Sequence, residues 1–189
     1  LLCAYACGKR PYPKSLIVAD SLASARPDSA IALLNTLKES MKAESEATRM
    51  YYRLLCIKAN DKAYIRHTSD SLILPVLHYY TEKKDEHHLP EAYYYAGRVY
   101  RDLEDAPLAL DYFQKAIDAL PDNKGYRLKS KIYSQMGTLF LYQKTYDEAL
   151  KILKEARKCN IALKDSASMV FNLRHIANGY RCLDQNDSS

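Results

Sequence analysis

A fixed offset of 40 residues governs the second half of this chain. Segment 90–123 aligns with segment 130–163, and a partial third copy begins at residue 170. Gly97 falls on Gly137 and Ala177, Tyr93 on Tyr133 and Leu173, and Tyr100 on Phe140 and Tyr180. Further along, Ala109, Phe113 and Ala116 fall on Ala149, Leu153 and Ala156. Within each copy apolar residues recur at three and four residues, the period of a helix that buries one side. Small residues at a fixed place let two helix axes approach closely, and aromatic rings beside them fill the remaining space. A sustained period of this length means stacked copies of one supersecondary unit. With 5 Gly and 7 Pro among 189 residues there are few tight turns for an all-β chain, and 48% hydrophobic residues suffice for a core.

These residues carry a resemblance to the tetratricopeptide repeat (TPR), a helix-turn-helix of about 34 residues. Segment 90–123 resembles it at Tyr93, Ala96, Gly97, Tyr100, Ala109, Phe113, Ala116 and Pro121. The second copy departs at its end, where Ile161 replaces the proline. Its six extra residues of spacing, 124–129, predict lengthened helices or a longer connection. The resemblance implies an all-α, right-handed superhelical solenoid of antiparallel helix pairs, with about nine helices in a chain of this length. It also implies a non-enzymatic scaffold that binds a protein or extended peptide in a concave groove lined by the first helix of each pair. Carried over position by position, the groove residues are Tyr94, Arg98 and Arg101, then Ser134 and Thr138, then Arg174, Asn178 and Arg181. With neighbouring positions included, five cations (Arg98, Arg101, Lys131, Arg174, Arg181) oppose two anions (Glu91, Asp102), so an acidic ligand is expected. The carboxylate clamp of chaperone-binding TPR proteins is not reproduced in full.

Upstream the period continues with less identity. Segments 15–41 and 46–83 read as diverged helix pairs, so the repeat domain is expected to span 15–189. Pro27 suits a helix start, and Ala30, Leu34 and Leu37 form the stripe that follows it. Pro75 falls inside a helical pattern and is expected to kink that helix or delay its start. The stretches 61–65 and 68–73 resemble a bacterial family of TPR proteins, some with a membrane helix and a regulatory or DNA-binding module after the repeats. That resemblance implies an alternative function: the sensor half of a signalling or transcription regulator whose output module lies beyond residue 189. The third copy stops where its second helix would begin, so the sequence is expected to be part of a longer protein.

At the N-terminus, Ala4 and Ala6 lead to Cys7 and a polar stretch follows. This resembles the end of a bacterial lipoprotein signal, with lipidation at Cys7 and residues 1–14 as signal remnant and linker. It implies an exported, membrane-anchored lipoprotein on the periplasmic or surface side, with a cytoplasmic protein as the alternative. No run of about 18 apolar residues is present to span a bilayer. The formal charge of +5 is dispersed, without a block of basic residues, so nucleic acid is not an expected partner in this region.

Catalytic motifs are missing. Cys3, Cys7, Cys56, Cys159 and Cys182 form no C-x-x-C pair, which disfavours structural zinc and redox chemistry. Glu86, His87 and His88 read as a polar loop rather than a metal site. His175 and Cys182 share a helix face, but seven residues span about 10 Å of helix, too far for a nucleophile and its base. No enzyme activity, cofactor or metal is expected.

Overall fold

The computed structural model describes residues 12–121 and 125–186. The described residues form nine α-helices, one short 3-10 helix and no strand. The helices are α1 (Lys14–Ala25), α2 (Pro27–Leu37), α3 (Glu46–Lys62), α4 (Ile73–Glu82), α5 (Leu89–Asp102), α6 (Ala106–Asp118), α7 (Tyr126–Tyr142), α8 (Tyr146–Leu163) and α9 (Ser166–Asn186). The chain divides into two compact units between Val76 and Leu77.

The first unit is built on α1, α2 and α3. Pro27 is the first residue of α2, where its missing N–H costs nothing. Leu16, Ala19 and Ala23 of α1 meet Ala30 and Leu34 of α2 and Tyr51, Leu55 and Ala59 of α3 in one core. Met41, on the 3-10 helix Ser40–Ala43, completes that core. Leu37 is only half-buried at its edge. Over the core Lys58 Nζ pairs with Asp20 at 2.7 Å, and the Tyr51 hydroxyl donates to the same carboxylate at 3.0 Å. Ser45 caps α3 by accepting from the Thr48 amide at 3.3 Å. Pro75 delays the start of α4: the helix begins at Ile73, so the proline lies in its first turn.

In the second unit α5 packs on α6, α7 on α8, and α9 on α8. The small residues of the repeat lie where the paired helices come closest. A Cβ on Gly97 would stand 2.5 Å from two ring atoms of Phe113, and one on Gly137 would stand 2.5 Å from Leu153 Cγ. The extra residues of the second copy lengthen its helices. The first pair has helices of 14 and 13 residues, whereas α7 has 17 and α8 has 18.

The helix ends follow a finer, 20-residue rhythm. Tyr64, Lys84, Glu104, Lys144 and Lys164 all have left-handed backbones, with φ of 58°, 48°, 66°, 62° and 54°. After each, the next amide folds back on the preceding helix, as in Asp105 N to Tyr100 O at 3.0 Å and Thr145 N to Phe140 O at 3.0 Å. Asp105 and Asp165 then cap the following helix, accepting from the amides of Leu108 and Ser168, while Asp85 accepts from the His88 amide in the turn that leads into α5. Those hydrogen bonds from Ser168 hold the Asp165 carboxyl below the usual range. The left-handed conformation costs an L-residue about 1–2 kcal/mol, more than glycine loses in chain entropy. Glu104→Gly and Lys144→Gly are therefore each expected to stabilise the protein by roughly 0.5–1 kcal/mol in urea denaturation. Loss of stability in both would contradict the left-handed assignment.

Candidate functional site

The candidate groove residues occupy equivalent places on α5, α7 and α9, but they differ in exposure. Tyr94 and Ser134 are buried, at 3% and 8%. The Tyr94 ring tilts against Phe113 at 5.9 Å and meets Tyr95 edge-on at 5.0 Å. Ser134 Oγ lies 2.8 Å from both the Ser130 carbonyl oxygen and Asn172 Oδ1. These two residues serve packing and present little surface to a ligand.

Arg98, Arg101 and Thr138 are half-buried. Arg101 uses its fork within the protein: Nη2 donates to Asp102 Oδ1 at 2.7 Å, and Nη1 donates to Gln135 Oε1 of α7 at 2.7 Å. The guanidinium thus bridges adjacent first helices. Thr138 Oγ1 donates to the Ser134 carbonyl at 2.8 Å. On α9, Arg174, Asn178 and Arg181 are all exposed, and Arg181 Nη2 donates to Asn178 Oδ1 at 2.8 Å. Their steps of four and three residues place them on one helix face.

Two residues outside the candidate set join these helices, Gln135 through Arg101 and Asn172 through Ser134. Asn172 is fully buried, and it aligns at the 40-residue offset with the buried Ile132 and Ala92. A polar residue at an otherwise apolar repeat position was the sequence signal for it. A second buried pair, Ser130 with Asn160, ties α7 to α8.

The geometry offers little for chemistry. Among the described residues, no cluster of His, Cys, Asp or Glu is arranged to hold a metal ion. Burial pushes the Cys159 and Cys56 thiols up, away from the thiolate; at Cys56 a hydrogen bond with Tyr52 opposes this. His175 Nδ1 donates to the Phe171 carbonyl at 3.0 Å, within its own helix. His88 contacts the Asp85 carboxylate at 3.0 Å and stacks on Tyr80 at 5.0 Å. Partial burial raises the Asp85 carboxyl, and hydrogen bonds from His88 and His87 outweigh it, leaving a net shift below the usual range. No described helix is long and apolar enough to cross a membrane. Cys7 and the signal-like segment lie outside the described residues.

Residues 90–123 match the tetratricopeptide repeat. Over 93% of this chain the fold is similar to nearly identical TPR-like repeats of a protein named as a kinesin light chain in Podosopora anserina. That likeness has a TM-score of 0.66 at 11% identity and covers 88% of the other chain. A single-substitution variant of the same protein matches as well, at the same TM-score and identity, over 87% of its length. No curated protein gives a significant sequence match. The fold is therefore a TPR-like helical solenoid, in which α5, α7 and α9 are first helices and α6 and α8 are second helices. TPR repeats are generally protein-binding units, so the coarse function is that of an interaction scaffold.

Proposed function

We propose that the chain is a non-enzymatic scaffold whose first-helix face binds an extended, acidic peptide segment. The observation that carries this reading is the trio on α9. Arg174, Asn178 and Arg181 stand exposed on one face, at the same four- and three-residue steps as Tyr94, Arg98 and Arg101 on α5. Arginine forks suit carboxylates, and Asn178 adds an amide beside them. Peptides fit such a strip better than small molecules, because extended segments meet successive helices with successive side chains.

The structure selects the variant for the test. Arg98 and Arg101 are half-buried, and Arg101 is held by Asp102 and Gln135, so changing them would disturb packing. Arg174→Glu with Arg181→Glu changes exposed positions only. With a fluorescently labelled acidic peptide library, this double variant is expected to lose about tenfold or more in affinity and to reduce the salt dependence of binding. Its melting temperature should match the parent. Unchanged binding of the same peptides would refute the acidic-peptide reading.

A further inference from the structure

Burial along α9 runs against the order of its side chains. At the equivalent place in α5 and α7 the fully buried residue is apolar and follows a charged one: Ala92 follows Glu91, and Ile132 follows Lys131. Hydrophobic burial alone selects that rotation of the helix. In α9 the order is reversed. Asn172 is fully buried, while Phe171 before it is 43% exposed and Leu173 after it 42%. A helix placed by burial alone would turn by one residue, about 100°, and bury one of those two instead.

The surroundings of Asn172 are polar as well. Its Oδ1 lies 2.8 Å from Ser134 Oγ on α7. Four positions change together at the 40-residue offset: Pro90, Tyr94, Leu120 and Ile132 become Ser130, Ser134, Asn160 and Asn172. Ser130 Oγ donates to Asn160 Oδ1, and Ser134 Oγ also lies 2.8 Å from the Ser130 carbonyl oxygen. These contacts join the four residues in one layer across α7, α8 and α9. The layer is costly to bury, since Asn160 Nδ2 and Asn172 Nδ2 have no hydrogen-bond partner among the described residues. Asn172 is therefore not drawn inward by its own chemistry. What compensates its burial at this rotation is the hydroxyl it meets on α7.

The consequence lies on the far side of the helix. Arg174, Asn178 and Arg181 follow Asn172 by two, six and nine residues, roughly 200°, 240° and 180° around the axis. With Asn172 turned onto Ser134, all three are exposed and fall in register with Tyr94, Arg98 and Arg101. Gly179, seven residues on, shares the buried face, where a Cβ would come within 2.9 Å of Leu150 on α8. We propose that Asn172 is a positioning residue: its pairing with Ser134 sets the rotation of α9 and so aims the arginine strip along the first-helix face. The rotation stands on the polar layer alone; its effect on binding rests on the acidic-peptide reading.

Ser134→Ala removes the hydroxyl and leaves Asn172 no partner at this rotation. NOESY spectra of the isotope-labelled full chain are recorded, and affinity is measured for the acidic peptide that binds the parent most tightly in the fluorescent library. In the parent, the Gly179 Hα protons should give a strong cross-peak to the Leu150 methyls. In Ser134→Ala, α9 is expected to turn, so that this cross-peak is lost and peptide binding weakens about tenfold or more. Adding Asn172→Leu makes the buried position apolar, as it is in α7. The double variant should regain both the cross-peak and the affinity, even though the polar pair is gone. A residue with only a structural role would lower the melting temperature of Ser134→Ala and leave cross-peak and affinity unchanged, which overturns the proposal. A Ser134→Ala chain in which α9 unfolds outright overturns it too, because the pair would then hold the helix on rather than turn it. Failure of the double variant to regain the cross-peak has the same force. If the parent binds no acidic peptide, the strip reading fails while the cross-peaks still decide the rotation.

Discussion

Gly137→Leu is expected to destabilise the second unit by about 1–3 kcal/mol or more, lowering its melting temperature by roughly 5–15 °C. Two opposing effects meet at this position. Leucine or alanine in place of glycine gains up to about 1 kcal/mol of helix propensity. Against that stands Leu153, fully buried, with Cγ 2.5 Å and Cδ2 2.6 Å from where a Cβ would sit. Even alanine cannot fit without moving Leu153, and leucine adds three more carbon atoms to the same space. Overpacking therefore outweighs propensity. The same argument applies to Gly97, where the obstacle is the Phe113 ring. Thermal melts of the parent and Gly137→Leu check this; a variant that melts with or above the parent would displace the 40-residue register.

Phe113→Ala is expected to cost about 3–5 kcal/mol, the range for a fully buried aromatic ring. The ring fills the space over Gly97 and also bears on Tyr94 at 5.9 Å, so its loss opens the α5–α6 seam on both sides. A coupling follows from the same contact. Gly97→Ala alone forces its new methyl against the ring and should destabilise. In the Phe113→Ala background that methyl enters vacated space, and Gly97→Ala should become neutral or stabilising. The double-mutant cycle should show a favourable interaction of about 1 kcal/mol or more in urea denaturation. Additive effects would mean that the two residues do not touch.

Much of the second unit was legible because its apolar pattern repeats. Gly97 and Gly137 could be read as close-approach sites, since a small residue recurring among aromatics has few other uses. The extra residues 124–129 left two readings open; the structure extends α7 back to Tyr126 and α8 forward to Leu163. The helix ends were harder. Left-handed C-terminal residues are usually glycine, but here they are Tyr64, Lys84, Glu104, Lys144 and Lys164, so local sequence carried no signal and the 20-residue rhythm stayed hidden. The candidate site was legible in its helix faces and not in its burial. Tyr94 and Ser134 disappear into contacts with Phe113 and Asn172, which depend on how neighbouring helices lie and not on spacing along one helix. Likewise the Arg101–Gln135 bridge joins residues 34 apart in sequence, a pairing that periodicity alone does not reveal.

The central claim is the shared register of the paired helices, and a NOESY spectrum of the isotope-labelled chain tests it most directly. The expected result is a strong cross-peak from the Gly97 Hα protons to the Phe113 ring, and another from the Gly137 Hα protons to the Leu153 methyls. The Gly97 protons should also be displaced in chemical shift by the ring beside them. Well-resolved spectra lacking both sets of cross-peaks, with either glycine facing a different helix, would contradict it.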